Sequence, residues 1–228
     1  MTAASQHAPM HIAGSSLGNF RHVCAFFSTE DEEYRTLLPF MREGLAAKER
    51  VVNFMPQDRT DHEERLRAGG IDVDEARGRH QLEVIKSEDA YLQKDGHFDG
   101  EAMLQLVPPL LMSGHEFGFA ATRLVAHAEH VMKDEYDADA FIEYESRLNY
   151  ILPKHRDTVV CTYDLNRVGA GAVLDVLRTH PMVVIEGLLQ ENPFFVPPDE
   201  LLRQAGERKR QSRTRDKSEK RSGNRPRR

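Results

Sequence analysis

The chain has 228 residues, 39% of them apolar and 30% charged, with two cysteines and a net charge of -6. That length can bury one sizeable core, and Cys24 and Cys161, far apart in apolar runs, fit reduced core thiols and exclude a disulfide scaffold. No apolar run is long enough to cross a bilayer and the first residues lack a basic-then-apolar plan, so a cytoplasmic protein without membrane contact is expected.

In chain order, residues 1–19 are rich in Ala, Ser, His and Gly and read as a flexible leader. "HVCAFF" is a first strand, followed by a helix over about 31–48 that repeats Leu37, Leu38, Met41 and Leu45 at helical spacing. "RVVNFM" is a second strand, "DHEERLRAGG" a short helix stopped by glycine, and "QLEVIKS" a third strand. "FDGEAMLQLVPPLLMSG" is helical until Pro108-Pro109 distorts or splits it. A fourth strand covers about 119–126, a helix about 138–152, and "TVVCTYD" is a fifth strand. "GAGAVLDVLRTH" is a helix and "PMVVIEG" a sixth strand, and the proline-closed "NPFFVPP" ends a folded body of residues 20–202. Strands apolar on both faces, alternating with helices, point to an α/β fold with a mostly parallel central sheet.

The net charge hides two regimes. From Arg203 to Arg228 there are 12 Lys/Arg against 3 Asp/Glu, leaving 19 against 34 for the rest. With almost nothing apolar to bury, 203–228 is expected to be a disordered basic tail. It is either solvated or in weak, nonspecific contact with nucleic acid, an acidic partner or the acidic body.

In a parallel sheet, ligands sit at the carboxyl ends of the strands. The first such turn, "STEDEE", has no glycine and no lysine, so it fails as a phosphate loop and disfavours ATP. Thr29 with Glu32 fits a capping box, and the acids Glu30 to Glu33 suit the positive end of the helix; beyond capping, a cation or donor-rich ligand is the other use. Arg123, within an apolar strand, is either a structural ion pair or an anchor for an anionic or polar ligand. His127 and Glu129 lie just past that strand, and Tyr163 and Asp164 end the fifth. Glu143 and Glu145 flank Tyr144 on an acidic helix, which reads as a solvated face unless one of them pairs with Arg123. His180 stands at a helix-to-strand junction, where it would cap the helix. Cys24, Cys161, His22 and His180 lack the short paired spacing of a zinc site, and His127 with His130 in "HAEH" is only a weak hint of ligation. No metal, cofactor or catalytic constellation is therefore expected.

The stretches "HVCAFFSTEDEEYRTLLPFMREGLAAKERVV", "YLQKDGHFDGEAML", "GFAATRLVAHAEHVM", "YESRLNYIL", "VVCTYD" and "LRTHP...NPFFVPP" together resemble the MEDS domain, the methanogen/methylotroph sensory domain, in order from about residue 22 to 198. The resemblance implies a RecA-like three-layer α/β sandwich without a working nucleotide loop. It also implies a non-enzymatic, signal-sensing regulatory protein that binds a small organic ligand or a signalling partner. An alternative use is a trans-acting interaction protein that modulates a histidine kinase or anti-sigma-type regulator and docks a partner or nucleic acid through its tail. This sequence carries a basic tail where relatives often carry an output domain. Arg123, His127, Glu129, Tyr144, Glu145, Tyr163, Asp164 and His180 are the positions at which the pattern would place a ligand pocket.

Overall fold

A computed structural model describes residues 9–57, 60–91, 97–131, 135–207 and 210, the side chains of His130 and of residues 135–137 excepted. Most of the expected tail, 211–228, lies outside the described residues, as does the side chain of His130. The elements are a hairpin of β1 (His11–Ile12) and β2 (Ser15–Ser16), then β3 (His22–Phe27), α1 (Glu30–Ala46), β4 (Arg50–Met55), α2 (His62–Ala68), α3 (Val73–Gly78), β5 (Leu82–Lys86), α4 (Ser87–Tyr91), α5 (Gly100–Glu116), β6 (Thr122–His127), α6 (Glu135–Ile151), β7 (Thr158–Asp164), α7 (Ala170–Thr179), β8 (Met182–Ile185) and β9 (Leu188–Glu191). A last helix begins at residue 198 and is described through 207, so the first residues of the expected basic tail are helical.

Seven strands form one sheet in the order β5-β4-β6-β7-β3-β8-β9. The first six are parallel and β9 returns antiparallel to β8. Residues of β3, β4 and β6 are buried throughout, as strands covered on both faces must be. One face packs α1, α2, α3 and the β1–β2 hairpin through Leu37, Phe40, Leu66, Val73 and Ile12. The other packs α4 to α7 through Tyr91, Met103, Val107, Phe141, Leu148 and Val176. This is a three-layer α/β sandwich. Among the described residues no helix is long and apolar enough to cross a membrane.

Three features depart from the sequence reading. The described part of the leader, residues 9–19, is not free: Ile12 and Leu17 are each 1% exposed in the core, and Glu43 of α1 accepts from the His11 amide at 3.1 Å. Conservative truncation, Ile12→Val, is therefore expected to cost about 1 kcal/mol in urea denaturation, where an unattached leader would register nothing. Helix α5 runs through Pro108 and Pro109 without interruption. The two prolines each remove a helical donor, yet Met103, Val107 and Leu111 continue one buried stripe across them, so burial holds the backbone helical. Strand β9 escapes the pattern because "LLQE" is half polar and lies at the sheet edge. Its turn, Glu186-Gly187, has φ of 50° and 70°, the two left-handed residues of a tight hairpin.

Candidate functional site

The β3–α1 turn is a cap. Thr29 Oγ1 accepts from the Glu32 amide at 3.2 Å, and Glu32 Oε2 turns back to accept from the Ser28 amide at 3.0 Å. The reciprocal bond thus reaches one residue further back than in the usual capping box. The acid that does something different is Glu33, which lies on the inner side of α1 and is buried.

Glu33 meets His127 where β6 ends. The Nε2 of His127 lies 2.7 Å from Glu33 Oε1, and its Nδ1 lies 3.0 Å from the Phe54 carbonyl. A carbonyl only accepts, so Nδ1 carries a proton; a second proton is shared between Nε2 and Glu33. Two residues on, Glu129 is also buried, and its Oε2 has no hydrogen-bond partner. On neighbouring β4, both polar atoms of the Asn53 side chain, fully buried, are likewise without partners. The carboxyl ends of β4 and β6 thus hold a polar knot with spare hydrogen-bonding capacity.

Burial pushes the Glu129 carboxyl above its ordinary range, partly offset by His127 and Arg167 while Glu33 adds to the rise. Because the folded pKa exceeds the unfolded one, the native state holds a proton that the unfolded chain has released. Stability therefore falls as pH rises through the carboxylate range and returns on acidification. Glu129→Gln is expected to stabilise the protein by roughly 1 kcal/mol at about pH 7 and to match the parent at about pH 4 in parallel denaturation curves.

Arg123 lies at the opposite, amino end of β6. It donates from Nε to Glu49 Oε2 at 2.5 Å, from Nη1 to the Phe40 carbonyl at 2.6 Å and from Nη2 to Glu43 Oε1 at 3.0 Å. Of its two sequence readings, the geometry is that of an internal ion pair. Asp164 accepts from the Asn166 amide at 2.8 Å in the turn after β7.

The remaining candidates gather on the other face of the sheet, under α6 and α7. Tyr144 packs edge-on to Phe98 with ring centroids 5.5 Å apart. Glu145 is not on a solvated face and does not pair with Arg123: it is fully buried, because α6 turns this side toward the sheet. Its Oε2 lies 2.9 Å from His22 Nε2 and 3.3 Å from His180 Nε2. Burial alone would raise the Glu145 carboxyl, but the imidazoles of His180 and His22 beside it prevail and hold it at about 2. Cys161 Sγ lies 3.7 Å from either Glu145 oxygen and 3.8 Å from His22 Nε2. Tyr163, on the same strand and face, is fully buried with its hydroxyl unpartnered.

The eight sequence candidates therefore separate. His127 and Glu129 share the strand-end knot, Tyr144, Glu145, Tyr163 and His180 lie on the α6–α7 face, and Arg123 and Asp164 stand apart. Glu33 and Asn53 were missed. Glu33 precedes Leu37 by one turn on the buried stripe of α1, and Asn53 interrupts an apolar strand; both signals are present in the sequence.

The family model for the MEDS domain, the methanogen/methylotroph, DcmR sensory domain, matches residues 21–181. The chain belongs to the MEDS family. Its matched region holds both buried polar groups. In structure the MEDS chain is similar to a KaiC-like protein from the hyperthermophilic archaeon Pyrococcus horikoshii OT3, with 15% identity, a TM-score of 0.51, and 75% of this chain and 73% of that one covered. At that identity the likeness concerns the fold, which is RecA-like. No curated protein matches the MEDS chain in sequence.

Proposed function

We propose that this MEDS protein is a non-enzymatic sensory unit whose signal is a small polar organic molecule taken at the carboxyl ends of β4 and β6. The observation that carries the reading is the unpartnered, buried Glu129 oxygen and Asn53 amide at that end. Buried polar atoms without partners are few in folded proteins, and a hydrogen-bonding ligand would satisfy them. Membership in a family of sensory domains supports a sensing role.

The acidic turn argues against a nucleotide as the signal. A triphosphate at the start of α1 would meet Glu30, Asp31, Glu32 and Glu33, with no lysine to neutralise it. The Glu32 and Ser28 amides are already taken by Thr29 and Glu32.

Native mass spectrometry of the protein purified from its own host is the direct test. A retained small-molecule adduct that Glu129→Gln loses is expected, together with no phosphate release from MgATP above a protein-free blank. ATP turnover abolished by Glu129→Gln would replace the sensory reading with an enzymatic one. A co-purifying protein without any small adduct would make a signalling partner the ligand instead.

A further inference from the structure

His22, Glu145, Cys161 and His180 come from β3, α6, β7 and the end of α7, and their donor atoms all lie within 4.8 Å of one another. All four residues are at most 2% exposed. Their partners fix which ring nitrogens face inward. The Asn149 side-chain amide donates to the carbonyls of Thr179, Glu145 and Ser146 at 2.7, 3.2 and 3.3 Å. Its Oδ1 is thereby left to accept from His22 Nδ1 at 3.1 Å. His180 Nδ1 donates toward the Val176 carbonyl at 3.0 Å and the Thr179 hydroxyl at 2.8 Å, the latter spending its own proton on Val176. Both imidazoles are therefore protonated on Nδ1 and turn Nε2 toward the Glu145 carboxylate. In its neutral form, His180 Nε2 offers a lone pair to a carboxylate oxygen, and it forms no aligned hydrogen bond there. Acceptors facing acceptors in a dry interior need a cation between them.

We propose that these four side chains form a buried, four-coordinate zinc site, with Nε2 of His22 and His180, Sγ of Cys161 and a carboxylate oxygen of Glu145 as ligands. Zinc bonds of about 2.0–2.1 Å to nitrogen, 2.0–2.2 Å to oxygen and 2.3 Å to sulfur put tetrahedral ligand atoms about 3.3–3.7 Å apart. The observed separations are 2.9 and 3.3 Å for nitrogen to oxygen, 3.7 Å for sulfur to oxygen and 3.8 Å for sulfur to nitrogen. Charge agrees as well: a divalent ion with one thiolate, one carboxylate and two neutral imidazoles sums to zero, which a buried site requires. Loading releases the Cys161 thiol proton and any proton held between His22 and Glu145, and oxidises nothing. With four protein ligands and no open position the ion is structural, and it pins β3 and β7 to α6 and α7. The site lies on the opposite face of the sheet from the strand-end knot and stands independently of the sensory reading.

The test is metal analysis of the full chain, expressed in zinc-supplemented medium without a histidine tag and dialysed exhaustively. About one zinc per chain is expected. Exchange with Co2+ is expected to give tetrahedral d–d bands and a thiolate-to-cobalt band that Cys161→Ser removes and Cys24→Ser leaves. Should Cys161→Ser fail to fold, Asn149→Ala carries the test: freeing the His22 ring is expected to weaken zinc roughly 10- to 100-fold against a chromophoric chelator. Parent protein that holds no metal and melts at the same temperature with and without zinc would overturn the proposal. So would a folded Cys161→Ser protein that keeps both its metal and the thiolate band.

Discussion

Arg123→Met is expected to lower stability by roughly 3–5 kcal/mol, read from the urea midpoint at constant slope. Methionine keeps most of the stem, so the loss is mainly of charge and hydrogen bonds. The guanidinium is 2% exposed, lies 4.6 Å over the Phe40 ring and spends its donors on Glu49, Glu43 and the Phe40 carbonyl. The two carboxylates are not equal losers. Glu43 is 34% exposed and also holds His11, so water replaces much of what it gives up. Glu49 is 9% exposed and would be left as a buried charge without its cation, which sets the size of the effect. Adding Glu49→Leu to Arg123→Met should therefore restore a large part of the lost stability. A single-variant cost below about 1 kcal/mol would show that the pair is solvated in solution.

Gly44→Ala is the second large effect, at roughly 2–3 kcal/mol of destabilisation despite alanine's better helix propensity. A Cβ at Gly44 would lie 2.7 Å from both Cδ and Nε of Arg123. A long side chain usually swings clear of such a contact, but this one is pinned by three hydrogen bonds and an aromatic ring. The clash therefore has to be absorbed by moving α1 away from the sheet. In an Arg123→Ala background the obstruction is gone, and the same substitution should instead stabilise by about 0.5–1 kcal/mol. That change of sign in a double-mutant cycle is the measurement; an equal cost in both backgrounds would place the strain elsewhere.

Several of these contacts were open to a reader of the sequence. The stripe Leu37, Met41 and Leu45 on α1 marks its inner side, and stepping it back one turn from Leu37 picks out Glu33 as the acid that faces the sheet. Arg123 within "TRLVAH" announces a buried cation but not its partners, which are Glu43 on α1 and Glu49 just before β4 rather than the acids of α6. The strands at His22, Arg50 and Thr158 begin and end where their apolar runs do. Pro108 and Pro109 misled because local propensity is weaker than a continuous buried stripe, and Ile12 and Leu17 are too few in a polar leader to show that they reach the core.

The sequence by itself determined the α/β class, the parallel sheet and a first turn hostile to phosphate, because periodicity and charge are local properties of the chain. Only the tertiary structure decided which buried polar side chains meet. Alternation along β3 and β7 says that His22 and Cys24 share a face, as do Cys161 and Tyr163, but not that the two strands are neighbours. Strand order does that: β3 lies between β7 and β8, with Cys24 opposite Cys161 in register. Helices α6 and α7 then cover that face and bring Glu145 and His180 over it. Periodicity fixes the face a residue takes; the crossovers choose its neighbours, and the chemistry of His22, Glu145, Cys161 and His180 follows from the neighbours.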